Sequence, residues 1–216
     1  MHTFTVGGTV SSAWETFKKR AWFFIGVTAL TMIIGWAISF TGGLIQGALA
    51  AGGAESLGGI ISFVLTFALQ TLLGMGTIAL FLKAHESPER AEVSQLWHPQ
   101  RFWTYLATTI LLGLIIFGGM ILLIVPGIIF ALMFQFATYV VIDRGLGSID
   151  ALKESLRITR GKKWTLFLLA LAIVGINILG FIALLVGLLV SIPVTALAMV
   201  HAYRVLEHGA SEMKAA

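Results

Sequence analysis

Long apolar runs without charge alternate along this chain with short charged segments. Six such runs stand out, at 21–41, 58–82, 102–124, 128–142, 165–185 and 187–205. The first five contain no Asp, Glu, Lys or Arg, and the sixth holds only Arg204, in its last turn. About 20 apolar residues in a helix cross the hydrocarbon of a bilayer. The pattern therefore predicts an all-α fold: a polytopic membrane protein with six transmembrane helices in three hairpins. The 128–142 run is short for a crossing, which places Pro126 near the outer face of the membrane. Backbone groups freed there need partners from the protein. Pro126-Gly127 and Pro193 are read as helix breaks.

The charged segments carry a different period. In 9–20, Val10, Ala13, Trp14 and Phe17 share one helical face, with Glu15, Lys18 and Lys19 off it and Thr9 as the N-cap. In the second, Ser87-Pro88 supplies an N-cap and a first-turn proline, Val93, Leu96 and Trp97 the apolar face, and Pro99 the end. In the third, Ser148 caps and Asp150 suits the first turn. There Ile149, Leu152 and Leu156 form the stripe, Lys153, Glu154, Arg157 and Arg160 face away, and Gly161 ends the helix. Each hairpin is thus preceded by a short amphipathic interfacial helix. Residues 42–57, rich in Gly and Ala, form a loop or a small external helix, and Gly43 and Gly47 make a GxxxG pair.

The unit repeats: amphipathic segment, basic collar, tryptophan, span, break, return span. The collars are Lys18-Lys19-Arg20-Ala21-Trp22, Arg101-Phe102-Trp103 and Arg160-Gly161-Lys162-Lys163-Trp164. A single membrane domain, 1–216, then comprises three pseudo-repeats at about 9–83, 88–144 and 148–206. The plainer reading is that every entry into a membrane collects Lys and Trp.

Composition agrees. Of 216 residues, 58% are hydrophobic and 11% charged, against about 25% charged in soluble domains. Mean hydropathy is +0.96. The 14 Lys and Arg all lie before the first span, between the second and third, between the fourth and fifth, or at the end of the sixth and beyond. The other three connections have none. The positive-inside rule then predicts a cytoplasmic-membrane protein with both termini in the cytoplasm. Residues 1–24 do not have the form of a cleavable signal. The net charge of +4 reflects membrane-edge anchors, Trp14, Trp22, Trp97, Trp103 and Trp164 among them, and predicts lipid rather than nucleic acid as the partner of these segments.

Little chemistry is legible. There is no cysteine, no metal-ligand spacing among the histidines and no defensible nucleophile with its base, so no catalytic residue, metal or cofactor is expected. Charge is absent from the depth at which proton relays and ion paths place it. Gln46, Gln70, Gln135 and Asn177 could line a path or, more often, bond between helices. His201, Tyr203 and Arg204 read as anchors at a span end, and His85 and His98 have no partner at ligand spacing. The densest polar set is Asp150, Lys153, Glu154, Arg157 and Arg160, continued by Lys162 and Lys163. It is either a solvated helix face or a surface for a cytoplasmic protein partner or lipid headgroups.

One stretch carries a resemblance: Pro126-Gly127-Ile128, then Val141-Ile142-Asp143, Ala151-Leu152-Lys153-Glu154-Ser155, and Gly161-Lys162-Lys163-Trp164 leading into Leu166-Phe167-Leu168-Leu169. The chain resembles the YciC-like (DUF975-like) predicted integral membrane proteins, related to the membrane domain of some glycerophosphodiester phosphodiesterases. The likeness is best over about 93–206. It implies about six helices in a bacterial membrane and no catalysis, because the phosphodiesterase chemistry belongs to a separate soluble barrel. Two functions are expected from these readings: a non-catalytic scaffold, regulatory or accessory component, or a passive transporter or lipid-handling protein with a groove between hairpins.

Overall fold

Backbone in hydrocarbon has no water to bond, so each spanning run must satisfy itself as helix. The computed structural model describes residues 4–97, 99–183 and 186–215. His98 and the 184–185 end of the expected fifth span lie outside the described residues. Helices α1 (Val6–Lys19), α2 (Ala21–Ala51), α3 (Glu55–Glu86), α4 (Phe102–Leu122), α5 (Ile124–Phe134), α6 (Ala137–Arg144), α7 (Ser148–Thr159), α8 (Lys163–Ile182) and α9 (Leu188–Ala215) succeed one another along the chain. Six stretches are long and apolar enough to cross a membrane, with α5 and α6 together forming the fourth. The protein is a multi-pass helical membrane protein, with hairpins α2–α3, α4–α5/α6 and α8–α9.

Several local expectations change. Residues 42–57 are neither loop nor separate helix, because α2 and α3 run on to a turn at 52–54 where Gly53 takes φ 80°. At ~1.5 Å per residue, the 31 and 32 residues of α2 and α3 make this hairpin ~15 Å longer than the 21-residue α4. A side chain at Gly43 or Gly47 would meet only open space; the close approach is instead at Gly42, against Ser62 and Thr66, and Gly58, against Leu49. The segment before α4 is three short 3-10 turns, not an amphipathic α-helix. Arg20 is the reason. Its guanidinium donates to the carbonyls of Pro88, Glu89 and Ala91 at 2.8–3.0 Å, acceptors that a continuing α-helix would need.

The break between α4 and α5 falls at Leu123, which is extended (φ −168°, ψ 151°), not at Pro126. Pro126 is the third residue of α5, where its missing N–H costs no helical bond. Gly127 is buried against Gly119 and Met120. Pro193 does not break α9 either; it sits inside a continuous helix. The N-cap of α1 is Thr5, not Thr9, its hydroxyl accepting from the Gly8 amide. Ser148 does not cap α7; it donates to the Thr104 carbonyl.

Buried side chains concentrate at the charged end. Phe24, Met75, Leu80, Phe136, Val140, Val141, Leu166, Leu169, Leu197, Val200 and Tyr203 form one core there. The opposite half is built differently. Across 32–68, 110–129 and 171–191, the buried residues are Gly42, Gly58, Ser62, Gly119, Gly127, Gly180 and Ser191, among those described. Each packs within its own hairpin: α2 on α3, α4 on α5, and Gly180 on Gly187 and Ser191. No described residue of that half is buried between different hairpins. Around these seams Ile33, Trp36, Phe63, Leu114, Phe117, Ile121, Val174, Leu179 and Phe181 are exposed. The molecule is three hairpins gathered at a charged base.

Candidate functional site

The base begins with a break inside the fourth span. Between α5 and α6, Gln135 and Phe136 leave the helical ladder. Two small hydroxyls of α7 fill the gap: Ser155 Oγ accepts from the Phe136 amide (3.2 Å) and donates to the Met133 carbonyl (2.9 Å), and Thr159 Oγ1 reaches the same carbonyl at 3.1 Å. Both residues are buried. The expected stripe of α7 is therefore rotated. Ala151, Leu152, Ser155, Ile158 and Thr159 face inward, while Ile149 and Leu156 are exposed. Small side chains at 151, 155 and 159 let α7 come close enough to serve the break.

Beside this lies an ionic interlock. Asp143, from α6, accepts from both terminal guanidinium nitrogens of Arg204 (2.8 and 2.9 Å) and from the Tyr203 hydroxyl (2.9 Å), both residues from α9. Arg204 also reaches Glu86 of α3 at 2.5 Å and Glu207 at 3.5 Å. A second knot joins Arg144 and Arg157 to Glu154, with Arg157 also donating to the Ala210 carbonyl at 2.6 Å. Glu207 links the knots, lying 3.6 Å from Arg144. Hydrogen bonds from Arg157, above all, hold the Glu154 carboxyl below its ordinary range, and those bonds in turn raise Arg157.

These contacts correct two readings. Tyr203 and Arg204 are not anchors facing outward: Tyr203 is fully buried and Arg204 ties α9 to α3 and α6. Glu154 and Arg157 do not form an outward docking face, because their charges are spent on each other and on α9. His85 does have a partner, its Nε2 lying 3.0 Å from Nδ1 of His201, which is also 3.5 Å from the Ser12 hydroxyl of α1. A cavity of about 300 Å³ opens beside it, lined by Phe4, Thr5, Gly8, Thr9, Ser12, His201 and Val205. At this distance one imidazole nitrogen donates and the other accepts, so the pair joins α3 to α9 by a hydrogen bond.

Of the predicted surface, Asp150 and Lys153 are exposed and paired with each other at 3.9 Å. Arg160, Lys162 and Lys163 are exposed. Trp14, Trp22, Trp97, Trp103 and Trp164 are all exposed, and Trp22, Trp103 and Trp164 are each the second residue of a span. The membrane-depth amides go to separate places. Gln70 donates to the Gly35 carbonyl, Gln135 to that of Leu132, and Asn177 bonds with Ser191 and Thr195. Gln46, Gln70, Ser39, Ser62 and Thr66 line a groove of about 480 Å³ along α2–α3. A second groove of about 420 Å³, lined by Leu30, Ile34, Ile38, Leu69, Leu72, Leu73, Val93, Leu96 and Trp97, is nearly all apolar. Among the described residues no group of three or more His, Cys, Asp or Glu could hold a metal.

The interlock escapes sequence reasoning because its members are far apart in sequence, at 86, 143, 154 and 204. One signal was available: acidic residues at span ends facing a lone arginine near the end of the last span.

Compared with known proteins, the chain is 27% identical to an uncharacterized protein of Mycobacterium tuberculosis, Rv2560, over 226 residues, covering 95% of this chain and 70% of the relative. The Mycobacterium bovis protein Mb2590, also described as uncharacterized, matches with the same identity and coverage. No solved structure matches. The family described as a domain of unknown function, DUF7847, matches residues 101–210, just over half the chain and the part holding the capped break and most of the interlock. The chain belongs to the DUF7847 family.

Proposed function

We propose that the protein is a non-catalytic, lipid-handling component of a bacterial cytoplasmic membrane, with both termini in the cytoplasm. One observation carries this reading: away from the charged base, no described residue is buried between different hairpins. In a bilayer, lipid fills the space between surfaces that do not pack on each other, so acyl chains enter between hairpins held together at one end. The grooves along both faces of α2–α3 give such chains defined surfaces, one almost wholly apolar, the other offering amide and hydroxyl groups. The orientation rests on the positive-inside rule, because the basic segments meet at one end of the bundle through Arg20, Arg101, Arg157 and Arg204. The mycobacterial relatives support a bacterial setting. Kinship with the YciC-like proteins is part of the same proposal.

The test is reconstitution into vesicles carrying a fluorescent phospholipid whose outer-leaflet fraction can be bleached. The proposal expects faster transbilayer redistribution than in protein-free vesicles. Redistribution at the protein-free rate overturns it. The interlocked base favours a second reading, a scaffold for another membrane component. That reading expects a specific protein to co-purify from the native membrane, with lipid redistribution unchanged.

A further inference from the structure

The three collars look alike in sequence but differ in their bonds. In the first, Lys18 pairs with Glu15 at 2.8 Å, Arg20 gives its guanidinium to three backbone carbonyls and covers the Phe23 ring, and only Lys19 is exposed with no ion pair among the described residues. In the second, Arg101 donates to the Gly145 carbonyl. Both arginines are structural. In the third, Arg160, Lys162 and Lys163 are exposed and make no ion pair among the described residues. The neighbouring acids are already engaged: Asp150 by Lys153, Glu154 by Arg144 and Arg157. Three cations fall within four residues here, around Gly161, which takes φ 75°.

The residues beyond this turn select its ligand. Lys163 is the first residue of α8, the most apolar of the six spans. Trp164 is 78% exposed and packs edge-on against Phe167, and Leu168 beyond it is also exposed. An occupant must therefore present negative charge directly beside hydrocarbon. A phospholipid does so by construction, with its phosphate at the cations and its acyl chains along Trp164 and Leu168. A soluble acidic protein offers the charge without the apolar continuation.

We infer that the turn Arg160–Trp164 is a binding site for an anionic phospholipid headgroup, the collar of the three that presents three available cations together, where the first leaves only Lys19. This inference stands independently of lipid movement between the hairpins. It needs only the turn, and a protein that moves no lipid can still hold one.

The test uses the full-length chain in nanodiscs of phosphatidylcholine containing a minority of phosphatidylglycerol. Lipid retained on transfer to detergent is then counted by native mass spectrometry. Wild-type protein is expected to retain phosphatidylglycerol in preference to phosphatidylcholine. The variant R160Q/K162Q/K163Q is expected to lose that preference by about a hundredfold, in keeping with three cations at a membrane surface. R160K/K162R/K163R should keep it, and so should K18Q/K19Q, which removes only one available cation, Lys19. Circular dichroism of each variant establishes that the fold is intact; the glutamines replace exposed side chains outside the ionic interlock. A folded triple-glutamine variant with wild-type preference overturns the inference. So does a wild type that shows no lipid preference but captures soluble polyglutamate.

Discussion

Ser155 is a small side chain with a large structural task. It bonds both an amide and a carbonyl at a break in a membrane span, where an unpaired polar group has no water to turn to. Ser155→Ala should lower stability by about 1–3 kcal/mol, read as a lower thermal unfolding midpoint in detergent. Arg204 is similarly placed: its side chain is 17% exposed and that of Asp143 16%. Arg204→Met leaves Asp143 without its cation and should cost about 3–5 kcal/mol. The double variant Arg204→Met/Asp143→Leu should recover much of that loss, because no buried charge is then stranded. Glu154 makes a pH-dependent contribution. Its folded carboxyl titrates below its unfolded value, so its stabilising effect is present above the ordinary carboxylate range and is lost as pH falls through the folded value. The midpoint gap between wild type and Glu154→Gln should be widest at neutral pH and close in acid.

At the scale of elements, each hairpin is zipped by its smallest residues. Gly119 and Gly127 bring α4 and α5 together, and a side chain at either would run into its neighbour across the seam. Gly127→Leu should force the pair apart and destabilise by about 1–3 kcal/mol, with proteolysis between α4 and α5 as a sensitive readout. The six spans were legible because apolar length and the absence of charge report them directly. The details that failed share a cause: tertiary contacts overrode local signals. Thr9 and Ser148 looked like caps by sequence, yet neither side chain caps a helix start, whereas Ser87 does stand at the N-cap with Pro88 in the first turn, of a 3-10 helix and without a side-chain bond. Pro126 looked like a break, yet the chain turns three residues earlier. The face of α7 was misjudged because large apolar residues were weighed above small ones. Its docking depends on Ala151, Ser155 and Thr159 being small, which hydrophobic periodicity does not register.

For the whole molecule, two of the seven residues of the expected docking face, Glu154 and Arg157, help hold the bundle closed at one end, while Asp150, Lys153, Arg160, Lys162 and Lys163 stay exposed. Glu86, Asp143, Glu154, Arg157, Arg204 and Glu207 tie α3, α6, α7 and α9 together. At the other end the hairpins share no buried residue among those described. A soluble protein could not leave so much apolar surface exposed; in a bilayer that surface faces lipid. This asymmetry, tight base and unshared far halves, is the central claim, and a chain without cysteine allows labels to be placed anywhere. Single nitroxides along α8 at Leu171, Val174, Gly175, Ile178, Leu179 and Phe181, in the reconstituted protein, can be scanned for collisions with membrane-dissolved oxygen. The structure predicts high accessibility at all these sites and protection only along the seam with α9, near Gly180. A second protected stripe on α8, facing another hairpin, would contradict it.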